Sequence, residues 1–202
     1  LINLTRSGLF FILFGLGFSA SAQFHYSWAR QGGSINIDQG YDVAVDVNGN
    51  VYTTGVYEGD AVFSPSPATG DTLYHTAMAD AFISKYDSAG NYQWAIRIVG
   101  DVTQPGNQNQ IPYSISTDGA GNVYITGRID SKSDFDPSDA PADTLWLYPD
   151  DGLAFIAKYN SGGQLLWAKN FGGPTAYVQG SSIQIGSSGN IYLHGYFTGS
   201  PD

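Results

Sequence analysis

The sequence predicts an all-β fold, a β-propeller of four-stranded antiparallel blades, of which these 202 residues hold about two and a half. Three observations predict it. A Gly-Asn-Val/Ile-Tyr motif starts at Gly49, Gly121 and Gly189, with spacings of 72 and 68 residues. A fifteen-residue phrase recurs without a gap, AFISKYDSAGNYQWA at 81–95 and AFIAKYNSGGQLLWA at 154–168, with nine identical positions. Around these motifs, apolar residues alternate at period two and end in D/N-x-x-G turns.

The first element is an address. Arg6 precedes an apolar run from Gly8 to Phe18, and Ala20-Ser21-Ala22 fits the small-residue rule for cleavage, so residues 1–22 read as a secretory signal peptide. The run is well short of the roughly 20 apolar residues that span a bilayer. Nothing later in the chain is apolar enough to cross. The expected location is therefore secreted or cell surface, with no membrane span after signal removal.

The mature chain, 23–202, divides by register. Residues 24–33 carry Trp28-Ala29 and Gly32-Gly33, the signature of a blade's last strand with no first three strands before it. One blade follows at 41–99, a second at 111–171, and half a blade at 180–202. In the second blade Ile111, Tyr113 and Ile115 alternate with Pro112, Ser114 and Ser116. Asp118 to Gly121 makes the turn, and Val123, Ile125 and Gly127 lead back. The second hairpin pairs 155–159 with 165–168 around Asn160 to Gly163, where Asp or Asn caps the turn and Gly accepts the left-handed position. Two hairpins make one blade. Sandwiches and solenoids also repeat, but an aromatic fixed in a four-stranded antiparallel unit favours the propeller. Asp71-Thr72-Leu73 matches Asp143-Thr144-Leu145 in the region connecting the hairpins. Phe63 and Phe135 each lie eight residues after Gly55 and Gly127, so the third such Phe would fall one position past the end. The remaining blades, and the three strands that complete 24–33, are expected from further C-terminal sequence.

The phrases DVNGNVYTTG (46–55), DGAGNVYITG (118–127), DAFISKYDSAGNYQWA (80–95) and WAKNFGG (167–173) resemble the bacterial SBBP family of β-propeller repeats. Asp134-Phe135-Asp136-Pro137 matches that family's acidic element, and Phe63-Ser64-Pro65 keeps its frame. The resemblance implies an exported or surface protein of Gram-negative bacteria and no defined activity. A fainter similarity, D-x-x-G-x-x-x-W, links the chain to quinoprotein-type propellers.

Composition narrows the function. Eighteen acidic residues against eight basic ones give a net charge of −10, which disfavours a groove for nucleic acid. There is no cysteine, hence no disulfide, thiolate metal site or thiol nucleophile. His25, His75 and His194 occupy different repeat positions and form no zinc pattern, no G-x-S-x-G elbow appears, and the only glutamate is Glu58. Trp28, Trp94 and Trp167, with Gly49, Asn50, Gly121, Asn122, Gly189 and Asn190, read as structural repeat positions. Lys85 and Lys158 recur at matching places and read the same way.

Two connections of about 22 residues, 59–80 and 131–152, are long enough to call for a role. The second is acidic, and Asp134, Asp136 and Asp139 are candidate calcium ligands, against a plainer reading as turn-capping carboxylates. No other cofactor is expected. The leading functional expectation is a non-catalytic scaffold or binding module for a glycan, peptide or cell-surface partner. The alternatives are part of a secreted glycan-cleaving or quinoprotein-like enzyme, or a structural repeat in a larger surface protein.

Overall fold

A computed structural model describes residues 27–65, 71–76, 79–101, 103, 109–136, 146–148, 153–173 and 177–199. The expected signal peptide at 1–22, the first residues of the expected 24–33 strand, Asp139 and residues 143–145 lie outside these. Among the described residues every regular element is a strand. The first blade is the meander β1 (Asp38–Val45), β2 (Val51–Tyr57), β5 (Asp80–Tyr86) and β6 (Tyr92–Gly100). The second is β7 (Gln110–Thr117), β8 (Val123–Ile129), β11 (Ala154–Tyr159) and β12 (Leu165–Phe171). A hairpin of β13 (Tyr177–Ile185) and β14 (Ile191–Thr198) starts a third. Two-residue strands β3 (Ala61–Val62) and β4 (Thr72–Leu73) form a small ladder in the first long connection, as β9 (Ser133–Asp134) and β10 (Trp146–Leu147) do in the second.

These pairings correct one sequence match. Leu73 pairs with Ala61 and Leu147 with Ser133, so Leu147, not Leu145, takes the place of Leu73. Both leucines are buried. The Asp-Thr-Leu likeness is two residues out of structural register, because the second connection is longer and its apolar anchor moves with the strand.

Alternating side chains fill the spaces between blades, as stacked sheets require. Val123, Ile125 and Ile129 of β8 join Tyr52, Ile83, Ile98 and Phe155 in one buried cluster, while Tyr124 packs with Ile156 of its own blade and with Ile183 of the next unit. The long connections are pinned identically. Phe63 packs on Phe82 at 4.6 Å and Phe135 on Phe155 at 4.9 Å. The carbonyls of Phe63 and Phe135 accept the hydroxyls of Tyr86 and Tyr159 at 2.7 and 2.9 Å.

Each first strand carries a β-bulge, between Gly40 and Asp42, Pro112 and Ser114, and Gly180 and Ser182. The bulge bends that strand onto its partner. A Cβ at Gly55, Gly127 or Gly195 would overlap the carbonyl oxygen of Gln39, Ile111 or Gln179 respectively. The glycine ending each V/I-Y-x-x-G phrase is thus required by close backbone approach.

Blades dock by a repeated forward contact. The Trp94 indole N–H of the first blade donates to the Ser161 carbonyl in the β11–β12 turn of the second, at 3.1 Å, and Lys85 Nζ reaches the same oxygen at 2.8 Å. Trp28 repeats this against the first blade: its N–H donates to the Ser88 carbonyl at 3.2 Å, and Arg30 Nε donates to that of Gly90. Gly33 pairs with Val62, just as β6 pairs with β9 through Val99 and Asp134. Residues 27–33 therefore sit on the first blade as β6 sits on the second.

Candidate functional site

The strands β1, β7 and β13 contact one another and form the inner edge of the blades. Their bulges free one residue per unit from pairing: Tyr41, Tyr113 and Ser181. Bulges re-aim side chains, and here they place aromatic rings at the end of the inner edge where the first strands begin. The rings of Tyr41 and Tyr113 lie 5.7 Å apart, tilted by 54°. Beyond them stands Tyr177, the first residue of β13, with the Arg128 guanidinium 5.1 Å from its ring centroid and an Arg128 Nη1 to Tyr177 hydroxyl hydrogen bond. Tyr196 closes on Tyr177 edge-to-face at 6.0 Å. The row crosses three successive units.

Its polar groups are ordered too. Arg128 Nη2 donates to Asp130 Oδ2 at 3.0 Å and Nε lies 3.0 Å from Oδ1 without an aligned hydrogen bond, an ion pair held by one hydrogen bond. Burial pushes the Asp130 carboxyl up, and Arg128 with Asn109 pulls against that. Burial also raises the phenols of Tyr41 and Tyr113, so both stay neutral at physiological pH. The Gln39 side-chain oxygen accepts from Tyr41 OH at 3.3 Å, and that of Gln179 from Tyr177 OH at 3.4 Å. Gln39 and Gln179 occupy the same repeat position. Gln179 Nε2 in turn donates to Ser181 Oγ.

Below the row, the inner edge is stitched from blade to blade. Asp42 Oδ2 accepts from Ser114 Oγ at 2.8 Å and from the Ile115 N–H at 3.0 Å, and Ser114 Oγ accepts from the Ile183 N–H. These bonds fix the height of each inner strand and hence the spacing of the rings above.

Farther out at the same end lies a buried set in the first blade. Tyr57 is fully buried, and burial, helped by the charges of Asp80 and Asp60, pushes its phenol far up. Burial also raises Asp80, whose oxygens accept from the Thr76 N–H and hydroxyl. The His75 ring meets Tyr57 edge-on, and Arg97 Nη1 donates to the Tyr74 carbonyl. Asp80 spends its acceptors on Thr76 and Arg97 donates to a backbone carbonyl, so these two fasten the connection, while Tyr57 OH and His75 Nε2 are buried without a hydrogen-bond partner.

The sequence-derived candidates fall elsewhere. Asp134 Oδ1 accepts the Asp136 N–H at 2.9 Å, closing a turn in the acidic connection. Among the described residues no group of three or more His, Asp or Glu side chains is placed to hold a metal ion. Trp94 and Trp28 lie at blade junctions, and Trp167 meets Tyr124 edge-on within its own blade. Lys158 stands over the Tyr124 ring and 3.7 Å from Asp118 Oδ2. Gly49, Gly121 and Gly189 take positive φ in their turns, and Asn50 and Asn122 donate to Asp46 and Asp118. Tyr41 and Tyr113 are not among the site residues expected from the sequence. The usable signal was the recurrence of Tyr 72 positions apart just before Asp42 and Ser114.

A family model described as the SBBP β-propeller repeat matches residues 27–56 and 93–136. Each match starts beside a docking tryptophan and runs into the next blade's first hairpin, so the family's unit straddles the blade junction. A protein of Acanthamoeba polyphaga mimivirus described as an uncharacterised WD repeat-containing protein, L264, is 27% identical over 196 residues. The match covers 85% of this chain and 13% of that relative's length.

Proposed function

Starting from a chain that carries SBBP β-propeller repeats, we propose that it is an exported, non-catalytic binding module whose ligand docks at the inner-edge row of Tyr41, Tyr113, Arg128 and Tyr177. One observation carries this reading. Three successive units place rings or amides at one end, two of the rings at strand bulges, whereas most other large aromatics of the blades are packed between sheets. Tyrosine and arginine are the residue types over-represented at binding hot spots. Export rests on the apolar leader at 1–22.

The test uses the full-length protein with and without Tyr113→Ala on immobilised glycan and peptide arrays. Ligands retained by the wild type and lost by the variant support the site. An unchanged array profile would sink it. Fractionation of cells expressing the protein with and without residues 1–22 tests export, and retention of both forms inside the cell would overturn that part.

A further inference from the structure

The geometry points to a neutral oligosaccharide as the ligand of this row, an inference that rests on the binding-module reading above. The first argument is charge. Arg128 is ion-paired with Asp130, and nearby Lys132 lies 3.4 Å from Asp101. Both of these cations are thus already paired with carboxylates, and the chain as a whole carries −10, so an anionic ligand at the row meets an unfavourable field.

The second argument is the pairing of rings with amides. Tyr41 and Tyr113 offer π faces, whose negative quadrupole attracts the weakly positive C–H face of a sugar ring, and Tyr177, already engaged by Arg128 and Tyr196, extends the row. Gln39 and Gln179 stand two residues from Tyr41 and Tyr177, each accepting a tyrosine hydroxyl; Gln39 is exposed with its amide donors remaining, and half-buried Gln179 gives one amide hydrogen to Ser181. Such a hydroxyl-rich, face-presenting ligand satisfies both halves of the site. A purely apolar ligand would strand the amides and phenols without partners, which costs binding energy.

The third argument is extent. Tyr41 and Tyr113 occupy equivalent positions in neighbouring blades, and Tyr177 follows in the next. A row crossing three units matches a chain of several sugar residues better than a monosaccharide.

Calorimetry on the full-length protein decides the matter, using hexaoses of glucose, mannose and galactose, polygalacturonate as the acidic counterpart, and unrelated hexapeptides. Binding of a neutral hexaose is expected, changing less than about twofold between low and high salt and weakened about tenfold or more by Tyr113→Ala. Tyr113→Phe should retain most of it, and Leu166→Ala, on the outer strand β12, should leave it unchanged. Matching melting midpoints show that the variants are folded. Salt-sensitive binding of polygalacturonate in preference to the hexaoses, or binding of peptides alone, each lost in Tyr113→Ala, would overturn the neutral saccharide while keeping the site. Failure of Tyr113→Ala to alter any of these would overturn both.

Discussion

Replacing Asp118 with asparagine exchanges one oxygen for nitrogen and removes one charge, and the structure assigns a cost to each lost contact. Asp118 Oδ1 accepts the Ala120 and Asn122 N–H groups at 3.0 and 2.9 Å. Oδ2 accepts the Asn122 side-chain amide at 2.8 Å and the hydroxyl of buried Tyr124 at 3.0 Å. Asparagine keeps the first pair, since Asn160 makes the same two backbone bonds in its own turn. It cannot keep the Asn122 bond, because its amide nitrogen is a donor facing a donor, and Tyr124 must turn its hydroxyl from donating to accepting. With each bond to a charged group contributing about 1.5–3 kcal/mol, and relaxation recovering part, D118N should cost about 2–3 kcal/mol. The chain contains the remedy: Asn160 is followed four residues later by Gln164, whose Oε1 accepts the Asn160 amide at 2.8 Å. D118N/N122Q should therefore recover about 1 kcal/mol of the loss, with a coupling energy of that size in a double-mutant cycle. Urea midpoints at constant m give the four stabilities. Additive effects, or a D118N cost under about 0.5 kcal/mol, would refute the account. The pH dependence is a second readout. Burial raises the Asp118 carboxyl, but hydrogen bonds from Asn122, Tyr124 and Ala120 outweigh it and hold the folded value below the usual 3.8. The carboxylate's contribution is present above the unfolded value and is lost as pH falls through the depressed folded one. The gap between wild type and D118N should be full at neutral pH and close in acid.

Gly127→Ala should cost about 3 kcal/mol or more, because its Cβ meets the Ile111 carbonyl and Pro112 backbone rather than a flexible side chain; a melting midpoint equal to wild type would refute the close-approach argument. Trp94→Phe removes the indole donor to Ser161 while keeping a ring beside Tyr52, and about 1–2 kcal/mol should be lost on chemical unfolding. Gly186 stands where Asp46 and Asp118 cap the other two first-hairpin turns. Gly186→Asp should gain about 1 kcal/mol if Tyr192, 3.0 Å from the new Cβ, shifts to donate as Tyr52 and Tyr124 do. A chelator should leave the melting midpoint unchanged, since Asp134 already caps its own turn; a drop of several degrees would place a cation in the acidic connection with Asp139.

The blade plan was legible because each of its causes is local and recurs. The alternation of Ile111 to Ser116, the D/N-x-x-G turns and the fixed tryptophan all follow from strand pleat, turn geometry and docking, and each appears more than once in the chain. The register of the long connections was less legible. Asp143-Thr144-Leu145 looks like Asp71-Thr72-Leu73, yet strand pairing and burial select Leu147, since a ladder follows the anchor rather than the nearest string match. The ring row was the least visible. Tyr41 and Tyr113 look like any half-buried strand tyrosines until the bulge beside each turns them, and a bulge leaves almost no mark in sequence beyond the glycine on the partner strand.

The forward contact of tryptophan and cation onto the next turn carries a consequence for how such chains grow. Two junctions share a tryptophan donor on one side and a carbonyl-bearing turn on the other, with Lys85 or Arg30 as the accompanying cation, so a duplicated stretch of about 72 residues arrives with both halves of such a junction already made. Recombination between tandem copies can lengthen or shorten the array without inventing a new interface. What then limits copy number is the angle through which each unit turns, a property of the whole ring that no single junction specifies.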